Sequence, residues 1–204
     1  DTTALPFSIT KQGETVKISS TDLIFKGNLE LTKVERGDES LKLEGAVYNI
    51  YQDSNNNKKY DEGEKLVATS DPTGKDGKVV VPKLRYGNYV AVEKIAPVGY
   101  NLDPEHLPFS VTSEGQKITI TARDTVITGN VAITKTDRDT GEKLSGADYN
   151  IYKDNNNNKK YDSSDTFILT TNKTDSNRLV SASGLRYGNY VAVEVEAPEF
   201  YELD

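Results

Sequence analysis

The sequence predicts an all-β chain made of two tandem immunoglobulin-like β-sandwich domains, and three observations carry that prediction. Short runs of alternating apolar and polar residues recur between turn residues, and no stretch sustains a 3.6-residue period. The stretch LRYGNYVAVE occurs twice, letter for letter, at Leu84–Glu93 and at Leu185–Glu194. A longer segment, LPFSITKQGETVKISSTDLIFKGN from Leu5 to Asn28, aligns without a gap with LPFSVTSEGQKITITARDTVITGN from Leu107 to Asn130. Repeats this far apart mark domain-sized units of roughly 100 residues, not a short solenoid repeat.

Composition narrows the function classes. A net charge of −7 argues against nucleic acid and anionic membranes as partners, since both require basic patches. No apolar run reaches the ~20 residues of a membrane span. With no signal peptide and no initiating Met, the chain reads as a processed or excised piece of something longer. The hydrophobic share of 35% implies modest cores, and the absence of Cys leaves them without a disulfide staple.

Residues 1–28 read as a closing hairpin, equivalent to the end of a preceding repeat. Its two strands flank a turn at Gln12-Gly13, matched by Glu114-Gly115 in the second copy. A first domain is expected over 29–127 and a second over 128–204. The second would lack its closing strands or receive them from 1–28. Each domain opens on a strand, Leu29–Lys33 or Val131–Lys135. Period two puts Lys33 on the Leu29/Leu31 face and Lys135 on the Val131/Ile133 face. A polar turn follows (35–40; 137–142), then a second strand at Ala46–Tyr51 or Ala147–Tyr152. After an Asn-rich loop come alternating segments at Lys65–Thr69 and Thr166–Thr171, and a short strand at Lys78–Val81. The repeated stretch then makes a tight turn at Gly87-Asn88 or Gly188-Asn189. Its strand places Tyr89, Ala91 and Glu93 on one face, as it does Tyr190, Ala192 and Glu194.

In the closing hairpins, Ile118, Ile120, Ala122 and Asp124 share a face, as do Val16, Ile18, Ser20 and Asp22. Each unit therefore aims a Lys, a Glu and an Asp at faces that are otherwise apolar or aromatic. Uncompensated buried ions cost several kcal/mol, on the order of the stability of a small domain. Burial disfavours the charged form of an amine and of a carboxylate alike. A neutral amine beside a protonated carboxylic acid is a nucleophile facing an electrophile, and a second carboxyl can shuttle the proton. The product would be a Lys–Asp amide. The alternative is a buried salt-bridge cluster, or strand ends whose polar groups reach solvent.

The Asn-rich loops suggest a metal. Asp53, Asn55, Asn57, Asp61 and Glu64 occupy positions 1, 3, 5, 9 and 12 of an EF-hand-type calcium loop, with Lys59 offering a backbone carbonyl at position 7. Asp154, Asn156, Asn158, Lys160, Asp162 and Asp165 repeat the register. Ca²⁺ takes six to eight oxygens, which alternate residues of a curled loop can supply. Lys58 and Lys159 replace the usual glycine at position 6, and no convincing helix follows either loop. A solvated hairpin tip is the competing reading, since Asn and Asp favour turns on their own account. The single histidine, His106, has no Ser or Cys partner in a recognisable arrangement and reads as a surface residue.

Thr32-Lys33, Leu43-Glu44-Gly45-Ala46, Asn88 to Glu93 and Ala96-Pro97-Val98-Gly99-Tyr100 together resemble the B-type (CnaB, SpaA-like, prealbumin-like) repeat domains of Gram-positive cell-surface adhesins and pilins. In that family YxxxExxAPxGY carries the glutamate that promotes an isopeptide bond between a first-strand Lys and a last-strand Asn or Asp. The resemblance implies Lys33 and Lys135 as nucleophiles, Glu93 and Glu194 as promoters, and Asp124 as acceptor for Lys33. The second unit departs after Ala197-Pro198, with Glu199-Phe200-Tyr201 in place of Val-Gly-Tyr. It reaches residue 204 before a closing hairpin, so Lys135 has no downstream acceptor. Asp22 could serve an absent preceding unit, the second unit of this or another copy, or Lys33 in a permuted order.

The expected function is a structural stalk or spacer repeat of an extracellular, cell-wall-anchored surface protein, with neighbouring repeats as partners and Ca²⁺ as cofactor. The alternative is a module binding a host or matrix protein or a glycan. Enzymatic activity is not expected beyond a single-turnover self-crosslink.

Overall fold

The computed structural model describes residues 4–173 and 179–203. Residues 1–3, 174–178 and 204, which fall in the expected opening hairpin and second domain, lie outside the described residues. The described chain contains thirteen strands and no α-helix. They are β1 (Lys26–Glu35), β2 (Asp38–Lys42), β3 (Val47–Gln52), β4 (Leu66–Thr69), β5 (Lys78–Arg85), β6 (Gly87–Ile95), β7 (His106–Val111), β8 (Lys117–Asp124), β9 (Thr128–Thr134), β10 (Asp148–Lys153), β11 (Thr166–Thr170), β12 (Leu179–Arg186) and β13 (Tyr190–Glu196).

Packing divides the chain into two compact units. The first holds the residues up to Val34, Lys42–Ile95 and Pro104–Ala122. The second holds Glu35–Leu41, Ala96–Asp103 and the chain from Arg123 on.

The first repeat forms two sheets. One runs β2-β1-β5 with β8 also paired to β1, and the other runs β4-β3-β6-β7. Alternation supplies one apolar face per strand: Leu29 and Leu31 of β1, Val79 and Val81 of β5, Tyr48 and Ile50 of β3, Tyr89 and Ala91 of β6. These meet Phe109 and Val111 of β7 and Ala122 of β8 in one buried cluster. Each fully buried Leu or Ile contributes about 1.5–3 kcal/mol relative to exposure, so this cluster dominates the unit's stability. The second repeat forms β12-β9 and β11-β10-β13. Its buried cluster is smaller: Ala147, Tyr149, Ile151, Val180 and Ala182.

Three expectations need correction. The polar segment expected as a turn after Glu35 turns at Arg36-Gly37, and Asp38–Lys42 is strand β2. All five of its residues are exposed, which hides it from an alternation test. Gly87-Asn88 opens β6 instead of forming a tight turn. The opening hairpin keeps its turn, with Glu14 N–H donating to the Lys11 carbonyl at 3.2 Å, but residues 4–25 form no strand. A lone two-stranded hairpin is marginal in water and needs a sheet or a core to hold it.

A buried Lys–Glu pair and the Asn-rich loops

β1 carries Lys33 into the first core, where the residue is fully buried among Leu29, Leu31 and Tyr48. Glu93 arrives from β6, in register with Tyr48 of the neighbouring β3. The Lys33 ammonium lies 2.7 Å from Glu93 Oε1, both side chains being 1% exposed. The Tyr48 hydroxyl donates to the same carboxylate at 3.5 Å, and its ring centroid lies 5.5 Å from Lys33 Nζ. Asp124, at the end of β8, is fully buried, and its carbonyl accepts from Arg36 N–H at 2.7 Å. Since β8 pairs with β1, it ends beside the strand that holds Lys33. Tyr48 was not singled out from the sequence, although period two places it on the buried Ala46/Ile50 face.

The second repeat keeps the pair and loses the seclusion. Lys135 Nζ lies 2.9 Å from Glu194 Oε2, with side-chain exposures of 13% and 3%. Glu194 stands opposite Tyr149 of β10, the counterpart of Tyr48. Asp22 is exposed in the opening segment, and the structure does not place it at either lysine.

The two Asn-rich loops fold alike. Asp53, buried at the loop entrance, accepts from the backbone N–H groups of Asn57 at 3.1 Å and Lys58 at 2.9 Å. Asp154 does the same for Asn158 at 3.2 Å and Lys159 at 2.9 Å. At the far end Glu64 accepts from Ser54 and Asp61 N–H, and Asp165 from Asn155 and Asp162 N–H. The side-chain amides of Asn55 and Asn57 converge on Asp61 Oδ2 at 2.8 and 2.6 Å. Those of Asn156 and Asn158 converge on Asp162 Oδ2 at the same distances. Asn55 and Asn57, in that order, hold the Asp61 carboxyl below the usual range. Asp162 is also lowered, by Ser164 first and then by Asn156 and Asn158. Lys58 and Lys159 adopt φ of 66° and 62°, so the left-handed position usually given to glycine is kept without one. Lys59 and Lys160 N–H donate to Asn57 and Asn158 Oδ1, which fixes the backbone leading into position 7.

No group of three or more His, Cys, Asp or Glu side chains that could hold a metal occurs among the described residues. Cation binding in these loops therefore depends on amide and backbone oxygens beside the acidic ones. His106 is not simply a surface residue: it opens β7, is partly buried, and its Nδ1 accepts Tyr60 N–H at 3.0 Å, tying down the first loop.

Both repeats are thus two-sheet β-sandwiches in which a lysine of the first strand meets a glutamate of the repeated stretch. The family model of the SpaA prealbumin-like fold domain matches residues 27–126 and again 129–204, and the chain belongs to that family. Among solved structures, the Bacillus anthracis TIE protein is 30% identical over 88% of this chain and 30% of its own, with a TM-score of 0.69. A streptococcal ancillary pilin is 23% identical over 90% of this chain and 57% of its own, with a TM-score of 0.44. The shaft pilin SpaA of Lactobacillus rhamnosus GG is 16% identical over 87% and 90%, with a TM-score of 0.42. The chain thus spans less than two thirds of the first two of these proteins. A comparison with curated protein sequences returned no match.

Proposed function

We propose that the chain is a pair of structural stalk repeats from a Gram-positive surface adhesin or pilus-like protein, displayed outside the cell and joined to neighbouring repeats. The observation that carries this reading is the Lys33–Glu93 pair, 2.7 Å apart in a sealed core, in a strand flanked by the one that ends at buried Asp124. A stalk built of cysteine-free domains gains from a covalent staple. In the proposed reaction the neutral Lys33 amine attacks Asp124 Cγ. The Nζ–Cγ bond forms, the acid hydroxyl leaves as water, and Glu93 moves the amine proton to the leaving oxygen. Two buried charges disappear in the product. Intact mass tests the proposal: the chain is expected to be one water lighter than its sequence, and Lys33→Ala, Glu93→Ala and Asp124→Ala are expected to restore the full mass. A full-mass parent chain would rule the bond out.

The Asn-rich loops are proposed to bind Ca²⁺. Asp53, Asn55, Asn57, Asp61, Glu64 and the Lys59 carbonyl would hold it in the first repeat. In the second the set is Asp154, Asn156, Asn158, Asp162, Asp165 and the Lys160 carbonyl. Rotation of the Asn side chains would turn their oxygens toward the ion in place of their N–H₂ groups. The hydrogen-bonded pattern shared by the two loops supports this, because it already curls each loop so that alternate residues face inward. Millimolar Ca²⁺ is expected to raise the melting temperature and chelator to reverse it; an unchanged melting temperature would remove the metal from the proposal.

A further inference from the structure

Asp124 is the last residue of β8, where the ladder that holds a strand in place stops. Its side chain is nonetheless fully buried. Attack by an amine needs a carboxyl carbon held about 3–3.5 Å from the nitrogen and at the right angle. A strand end can meet that demand only if something beyond the ladder holds it.

Three successive carbonyls at this strand end are gripped from two other segments of the chain. The Asp124 carbonyl accepts from Arg36 N–H at 2.7 Å, and the Arg123 carbonyl from the Arg36 guanidinium at 3.2 Å. The Thr125 carbonyl accepts from Asn101 twice, from the backbone N–H at 2.9 Å and from the side-chain amide at 3.3 Å. The same guanidinium nitrogen of Arg36 lies 3.1 Å from Asp103 Oδ2, so one side chain joins the strand end to the segment that carries Asn101. The Arg123 side chain is held in turn by Glu39, with Nε 2.7 Å from Oε1.

The gripping segments are themselves fixed. Arg36 follows β1 immediately and stands three residues after Lys33. A strand end fastened to Arg36 is therefore fastened to the backbone that bears the nucleophile. Asn101 follows Tyr100, which bridges to Val126 and donates its hydroxyl to Glu35 at 2.7 Å. Glu35 is buried and also accepts from the Arg186 guanidinium at 3.0 Å. All of these gripping contacts lie within one compact unit. Arg36 and Asn101 are exposed residues, so their side chains are not part of the buried core.

We propose that Arg36 and Asn101 are positioning residues for the Lys33–Asp124 cross-link, holding the acceptor backbone so that its carboxyl carbon meets the amine. The inference rests on the cross-link reading proposed above. The chemistry is the same: the Nζ–Cγ bond forms, and the acid hydroxyl leaves with one amine proton as water. The sign of the effect separates grip from charge. A nearby cation favours a carboxylate over the carboxylic acid that the amine attacks, so loss of the Arg36 charge alone would speed the reaction. Loss of the grip slows it.

The test is the rate at which the newly made full chain loses water, read by intact mass at intervals after cell-free synthesis is stopped. Folding is followed on the same samples by resistance to a pulse of protease. In a double variant, Arg36→Ala with Asn101→Ala, the mass change is expected to slow by about 10–100-fold, the range that small misplacements of reacting groups produce. Protease resistance is expected to appear as fast as in the parent, because both substitutions are on the surface. A parent that never loses water removes the cross-link and this inference with it. A parent that cross-links, with a double variant that does so equally fast or faster, overturns this inference alone. So does a slowing matched by an equal delay in folding, which marks the two residues as structural.

Discussion

In the first repeat Tyr89, Val90, Ala91 and Glu93 are all buried, while in the second Tyr190, Val191 and Glu194 are half-buried and Ala192 is exposed. The residues are the same and so is the strand they form, paired in both repeats to the strand that carries Tyr48 or Tyr149. The difference comes from what lies on the other side. β7 and β8 bring Phe109, Val111 and Ala122 onto the first core, and the described second repeat has no such cover. Depth is therefore a property that one part of the chain confers on another, and chemistry that needs a sealed site inherits that dependence.

The most severe way to break the comparison is to remove the glutamates one at a time. Glu93→Ala strands a fully buried Lys33, and the expected loss is about 3–5 kcal/mol. Glu194→Ala leaves a Lys135 that already reaches water, so only a charge-assisted hydrogen bond is lost, about 1.5–3 kcal/mol. Denaturant unfolding of the two variants checks the order, and equal losses would contradict the assigned depths. The two hairpin copies give a second contrast. Phe109→Ala should cost about 3–5 kcal/mol, whereas Phe7→Ala should stay within about 0.5 kcal/mol. A third treats the repeats alike: if both loops bind Ca²⁺, chelation should lower the stability of each by a similar amount, about 1.4 kcal/mol where Ca²⁺ stood at ten times Kd.

The smallest effect concerns acid. A tyrosine hydroxyl donates to a carboxylate in both repeats, Tyr100 to Glu35 at 2.7 Å and Tyr201 to Asp137 at 2.8 Å. For Asp137, the Thr140 backbone N–H first and Tyr201 next lower the carboxyl pKa from 3.8 to about 2. A pKa depressed by folding gives stability that is full above the unfolded value and lost as pH falls through the folded one. Its contribution should therefore be intact above about pH 4 and fade toward pH 2. The Asp137 carboxyl shift in an NMR titration checks this, and Tyr201→Phe should move its midpoint up.

Much of this was written in the period-two alternation. Leu29, Leu31 and Lys33 share a face in the sequence and are all buried in the fold, and Tyr89, Ala91 and Glu93 follow the same rule. The loop register of Asp53 to Glu64 was equally plain, because each oxygen-bearing residue sits at a fixed local spacing. What stayed hidden was non-local or unpatterned. β2 carries no apolar alternation, being exposed on every residue, and is recruited by pairing with β1. The Tyr60–His106 hydrogen bond joins residues far apart in sequence, which no local pattern records. The unequal depth of Ala91 and Ala192 could not be read from identical letters at all.

The pairing of β8 with β1 also sets a timetable. A chain made N-terminus first completes β1 through β6 before it can offer the strands that seal them, nearly a whole repeat later. At about 5–20 residues per second, a 24-residue segment such as Leu107 to Asn130 takes a few seconds to appear. During that interval the lysine and glutamate strands of the first repeat are in place without the strands that bury them, so the sealed site is the last part of the repeat to form.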